Sequence, residues 1–227
     1  MKRTRVPRPL LLLCAAAGLF TGAALVGTIL AAIALPLSLA FTGLLVVAAL
    51  TVVVLRTEPD QRRLIVSITA RGVLIALVAT ALYDVSRLLL MQLDPSPFDA
   101  FVAWPIFGHL LLGLDAPEDL ARIAGLGFHV ANGVTFGLAY CFLFGARARR
   151  SLRGALGTGV VWGLFLEAFQ LTIFPGWLNV TTYQEFATIT FLGHVVYGAS
   201  LGLLARRALP AGMDDEDADA DIEEEEA

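Results

Sequence analysis

Seven apolar stretches, over residues 9–34, 37–55, 67–91, 101–114, 123–145, 154–174 and 186–205, leave this chain little choice of fold. Most approach the ~20 residues that an α-helix needs to cross ~30 Å of hydrocarbon. A soluble core of this size does not need so many. The chain is 57% hydrophobic and 16% charged, with a mean hydropathy of +0.76, whereas soluble domains lie nearer ~45–50% and ~25%. The sequence therefore predicts an all-α membrane protein.

The stretch at 101–114 is the exception, because it is short and carries Pro105, Gly108 and His109. About fourteen helical residues reach only ~21 Å, too little to span. Loop charge supports leaving it uncounted. Lys2, Arg3, Arg5 and Arg8, then Arg56, Arg62 and Arg63, then Arg147, Arg149, Arg150 and Arg153, and finally Arg206 and Arg207 all fall on one side if this stretch does not cross. Positive charge accumulates on the cytoplasmic side. The opposite loops hold Arg122 with Asp94, Asp99, Asp115, Glu118, Asp119 and Glu185. The expected topology is six transmembrane helices at about 9–34, 37–55, 67–91, 123–145, 154–174 and 186–205. Both termini lie in the cytoplasm of a multi-pass cell-membrane protein. A short external segment near 92–121 is re-entrant or interfacial.

The basic N-terminus followed by an apolar run also describes a signal peptide, but the run exceeds the ~7–15 residues of such an h-region and reads as a first helix that is retained. Asp115 or a neighbour suits a helix cap, with acids in the following turn. Phe98, Trp104, Trp177 and Tyr183 are placed for an external aromatic belt. Arg71 is expected to snorkel to the interface. Asn179-Val-Thr181 fits a glycosylation acceptor but lies so near the membrane that a chance match is the better reading.

The net charge of −4 divides unevenly. Asp214, Asp215, Glu216, Asp217, Asp219, Asp221 and Glu223 to Glu226 are all acidic, so the body is positive. Residues 209–227 read as a disordered acidic cytoplasmic tail and 1–208 as the transmembrane bundle. Cys14 and Cys141 lack a Cys-x-x-Cys partner and read as buried small hydrophobes.

Polar residues inside a bilayer are costly and face the bundle interior. Four helices carry such pairs: Asp84 and Arg87, His129 and Asn132, Glu167 and Gln170, His194 and Tyr197. Each pair is spaced i, i+3 and shares a helix face. In the six-span topology Asp84, His129, Glu167 and His194 lie at one level, roughly 9–12 Å beneath the external surface at ~1.5 Å per residue. These eight residues are the candidates for a ligand site or a proton or ion relay, with His109 of the external segment on the same side. The alternative is a structural polar belt in which they satisfy one another.

Three chemistries fit the residue types. His129 and His194 would ligate a haem iron axially, the glycines that follow each leaving a smooth strip for the macrocycle. His129, His194 and His109, with the carboxylates, would suit a transition metal. Carboxylates and histidines together would relay protons in a small transporter. Gly133/Gly137 and Gly198/Gly202 are small-xxx-small pairs that pack helices within the chain or in a homo- or hetero-oligomer. No P-loop, dinucleotide fingerprint, nucleophile elbow or nucleic-acid-binding motif is present.

Residues 129–138 and 194–203 both read His-Val-x-x-Gly-x-x-x-Gly-Leu, on helices expected to run in the same direction, as a parallel repeat requires. The patterns Thr80-Ala-Leu-Tyr-Asp84-x-x-Arg87, His129-x-x-Asn132-Gly-x-x-Phe-Gly137 and Gly193-His194-x-x-Tyr197-Gly198 resemble those of small uncharacterised prokaryotic polytopic membrane protein families. That resemblance covers about 67–205 and implies no activity and no residue role. The function expected from the residues is a small transporter or ligand-binding membrane protein. The alternatives are a non-catalytic subunit or assembly partner, and a haem- or metal-binding membrane protein.

Overall fold

The computed structural model describes residues 6–93, 99–173 and 184–210, and helix is the only regular secondary structure among them. The elements are α1 (Arg8–Gly18), α2 (Phe20–Ala31), α3 (Leu35–Arg56), α4 (Pro59–Leu93), α5 (Ala103–Leu112), α6 (Glu118–Arg150), α7 (Leu152–Ile173) and α8 (Gln184–Ala208). Among the described residues α3, α4, α6, α7 and α8 are long and apolar enough to cross a membrane, and the bent pair α1–α2 brings the number to six when it is counted as one broken span. The chain is a multi-pass, all-α membrane protein.

The helices overrun the apolar stretches at several ends, because hydropathy marks the hydrocarbon while helix ends are set by polar caps. α4 begins at Pro59 rather than near 67. Proline suits the first turn, where its missing N–H is not needed, Asp60 favours the positive end of the helix dipole, and the Gln61 side chain accepts the Glu58 N–H at 3.0 Å. α6 starts after Pro117 with Glu118 and Asp119 in its first turn and ends on Arg147, Arg149 and Arg150. Asp115 is not its cap. The first span is not the single run expected over 9–34: it breaks at Leu19 with a bend of 53°. The break falls where the chain meets α6. Gly18 lies against the backbone of Thr135 and Ala139, Gly22 against the Phe136 ring, and Thr21 Oγ1 sits 2.6 Å from Thr135 Oγ1. Kinks concentrate at glycine and at inserted polar groups.

The core is a four-helix arrangement of α4, α6, α7 and α8, with α1 and α2 against α6. α3 is the outermost helix, with only 11% of its apolar window covered by protein. Two antiparallel seams fix the core. Along α4/α6, Ala76 meets Gly137, Thr80 meets Gly133 and Asp84 meets His129. Along α7/α8, a β-carbon on Gly202 would strike Ala155 O, one on Gly198 would strike Gly159 O, and one on Gly163 would strike His194 O. Both seams advance in steps of four residues, the signature of small residues letting backbones touch. α6 and α8, which carry the repeated His-Val-x-x-Gly pattern, run in the same direction. Gly133, Gly137, Gly198 and Gly202 are thus all packing positions within the chain.

α5 is too short to span and lies along the first turns of α6. Gly108 faces the Ala121 backbone and Gly125 the Trp104 backbone. It therefore caps the end of the bundle where α4 finishes and α6 begins. At the opposite end Arg71 reaches the end of α8. It donates to Ala208 O at 2.8 Å, and Arg149 donates to Leu209 O, so two arginines close the C-terminal carbonyls of α8. The acidic tail, the Asn179 site, Phe98, Trp177 and Tyr183 lie outside the described residues.

Candidate functional site

The seams bring the polar residues of four helices together as two carboxylate–histidine pairs. Asp84 on α4 faces His129 on α6, with Nε2 at 3.0 and 3.1 Å from the two carboxylate oxygens. Glu167 on α7 faces His194 on α8, with Oε2 2.8 Å from Nδ1. A carboxylate or carbonyl oxygen accepts, so each contact places a hydrogen on the ring nitrogen that makes it. His129 donates Nε2–H to Asp84. His194 directs Nδ1–H at Thr190 O, 2.9 Å away, so Glu167 Oε2 touches the imidazole edge without receiving a hydrogen. Glu167 Oε1 accepts the Thr190 hydroxyl at 2.7 Å. Glu167 is 2% exposed and His194 8%.

Tyr83 joins the two pairs. Its ring centroid lies 5.7 Å from that of His129, 4.9 Å from that of His194 and 6.3 Å from that of Tyr197. Arg87, 4% exposed, stands one turn further along α4. Its guanidinium is 3.7 Å from Asp84, 4.8 Å from the Tyr83 ring centre and 4.6 Å from that of Phe101. A charge held between two aromatic faces and one carboxylate is partly compensated for its burial. Trp104 of α5 reaches over His129 at 5.8 Å between ring centroids. It thus covers the cluster from the end of the bundle that α5 caps.

Beside the cluster is a cavity of about 110 Å³, lined from α4 by Thr80 and Tyr83, from α6 by His129, Asn132, Gly133 and Phe136, from α7 by Leu166, Phe169 and Gln170, and from α8 by His194 and Tyr197. Gly22 and Leu25 of α2 and Phe107 of α5 close it. Of the eight candidates, His129, Asn132, Gln170, His194 and Tyr197 line the cavity, Asp84 and Glu167 stand behind the histidines, and Arg87 stands behind Asp84. Sequence reasoning missed Tyr83, Thr190 and the aromatic lining. Tyr83 was findable, because Thr80, Tyr83, Asp84 and Arg87 follow the i, i+3, i+4, i+7 stripe of one helix face.

The cofactor expectations do not survive this geometry. The glycine strips that were to receive a macrocycle are filled: Gly133 and Gly137 by Thr80 and Ala76, Gly198 and Gly202 by the backbone of α7. His109 stands apart from the other histidines, 3.2 Å from Glu118 and 3.3 Å from Gly113 O. Among the described residues no three or more His, Cys, Asp or Glu side chains gather with the geometry of a metal site. Cys14 and Cys141 are buried and unpaired with each other. Compared with protein-family models, curated proteins and solved structures, the chain matches none.

Proposed function

We propose that this is a small transporter or ligand-binding protein of the cytoplasmic membrane, with both termini inside and the cavity in the outer leaflet. One observation carries the reading. Two histidines from separate helix pairs, each held by its own carboxylate, converge on a single aromatic-lined cavity. An intramembrane ionisable group is expensive and marks a pathway or site more often than a support. Apolar cavities with a few convergent polar groups are what small-molecule sites look like. A purely structural belt has no need of the empty space between its members.

The two roles separate by stability. A buried ion pair contributes little net stability, and replacing both partners with apolar side chains of similar volume is neutral or stabilising by ~1–4 kcal/mol. If Glu167 and His194 serve a site, the double substitution Glu167→Leu/His194→Leu leaves the melting temperature of the detergent-solubilised protein unchanged or raised. A fall of several degrees in that double variant, with secondary structure intact below the transition, would assign the pair a structural role instead.

A further inference from the structure

We infer that the cavity takes a small organic cation, a protonated amine. This deepens the reading above and rests on it. The polar groups around the cavity have already committed their hydrogens elsewhere. His129 gives Nε2–H to Asp84 and His194 gives Nδ1–H to the Thr190 carbonyl. The Tyr197 hydroxyl donates to Gly133 O at 2.7 Å, and the Thr80 hydroxyl to Ala76 O at 2.8 Å. The two hydroxyl oxygens therefore keep lone pairs to offer, and the second nitrogen of each imidazole lies outside these contacts. Asn132 adds a buried Oδ1 with no donor. The donors that remain among the lining residues are the Tyr83 hydroxyl and the amide N–H groups of Asn132 and Gln170.

Charge points the same way. Asp84 and Glu167 stand against a single guanidinium, Arg87, which is itself engaged by Asp84 and two rings. The walls supply what a desolvated cation prefers: the rings of Tyr83, Phe107, Phe136, Phe169 and Tyr197, whose faces attract positive charge. An anion would meet lone pairs, with the carboxylates just behind the histidines. A neutral carbonyl or ether would find few donors. Leu25 and Leu166 leave room for a short apolar substituent. At about 110 Å³ the space is smaller than the ~150 Å³ that admits benzene, which fits an ammonium group on a chain of a few carbons.

The test is isothermal titration of the full chain in lipid nanodiscs against a shape-matched trio: butylammonium, 1-butanol and butyrate. Butylammonium is expected to bind at least about tenfold more tightly than either analogue, a gap of ~1.4 kcal/mol. Glu167→Gln is nearly isosteric and removes the charge, with one oxygen exchanged for an amide NH2, so it is expected to weaken butylammonium by about tenfold while leaving butanol unchanged. Asp84→Asn repeats the measurement on the other pair if the first variant does not fold. Equal or tighter binding of butanol or butyrate overturns the cation and leaves the cavity standing as a ligand site. Butylammonium affinity unchanged in both folded variants overturns the electrostatic basis of the choice. Failure of all three compounds to bind the folded wild type overturns the inference together with the reading beneath it.

Discussion

α7 carries two glycines, two residues apart, for which the same substitution should have opposite effects. Gly157 has open space where a β-carbon would be. Gly159 lies on the seam with α8, where a β-carbon would overlap Gly198 O, lie 3.0 Å from Gly198 C and come 3.2 Å from Gly202 N. Carbon–carbon contacts are comfortable at ~3.5–4.0 Å, so the helices would have to part by at least about half an ångström, and the obstacle is backbone that no rotamer change can move. Gly157→Ala is expected to stabilise by ~0.5–1 kcal/mol, the helix propensity gained when glycine is removed from a helix interior. Gly159→Ala gains the same propensity but meets overpacking that costs ~1–3 kcal/mol or more, for a net loss of about 1–2 kcal/mol. Parting the seam also stretches the 2.8 Å contact between His194 and Glu167 two turns away, so ligand affinity should fall with stability. Thermal unfolding followed by circular dichroism in mild detergent reads the first effect, and the titration described above reads the second. If Gly159→Ala unfolds at or above the temperature of Gly157→Ala, the α7/α8 seam is not the close backbone contact described here and the register of the site must be reconsidered.

Two further substitutions test the turns and the cap. Ala32 ends α2 in the left-handed region, φ 53°, which costs a β-carbon-bearing residue about 1–2 kcal/mol; Ala32→Gly should raise the unfolding midpoint, with ~1 kcal/mol gained. Gly108→Ala would drive a β-carbon into the Ala121 backbone and lift α5 from α6, which should show as a shifted tryptophan emission from Trp104 and a stability loss of ~1–3 kcal/mol, while an unchanged spectrum would mean that α5 does not sit on α6 as described.

The spans were legible because the bilayer allows few alternatives: an apolar run of the right length has to be a helix. What composition cannot report is where a helix stops in water or where it bends in lipid. α4 begins at Pro59 through proline and side-chain capping. The first span breaks at Leu19 because of what α6 presents to Gly18 and Gly22, a property of the partner rather than of the local sequence. Arg71 illustrates the same limit. Its position near a membrane face suggested snorkelling, but the sequence could not show that it also satisfies the Ala208 carbonyl, which lies far along the chain.

The candidate site shows how far residue type leads without register. Asp84 and Arg87 share a face by their spacing, so their contact could be read directly. That Asp84 also holds His129, and Glu167 His194, depends on how far each helix is slid along its neighbour. The glycines set that slide. On α4/α6 the contacts Ala76–Gly137, Thr80–Gly133 and Asp84–His129 are successive steps of one ladder. On α7/α8 the steps Ala155–Gly202, Gly159–Gly198 and Gly163–His194 bring Glu167 to its histidine one turn later. Fixing any single glycine contact fixes the acid–imidazole pair at the end of its ladder. The ambiguity lay in the partners: α7 holds Gly154, Gly157, Gly159 and Gly163 within three turns, and only the presence of α8 distinguishes the seam glycines from the free Gly157. The same logic explains why the glycine strips, read as room for a macrocycle, are occupied. A small-residue surface in a bilayer is filled by the nearest backbone, and the space that remains for a ligand lies between the ladders, where Tyr83 and the two histidines face one another.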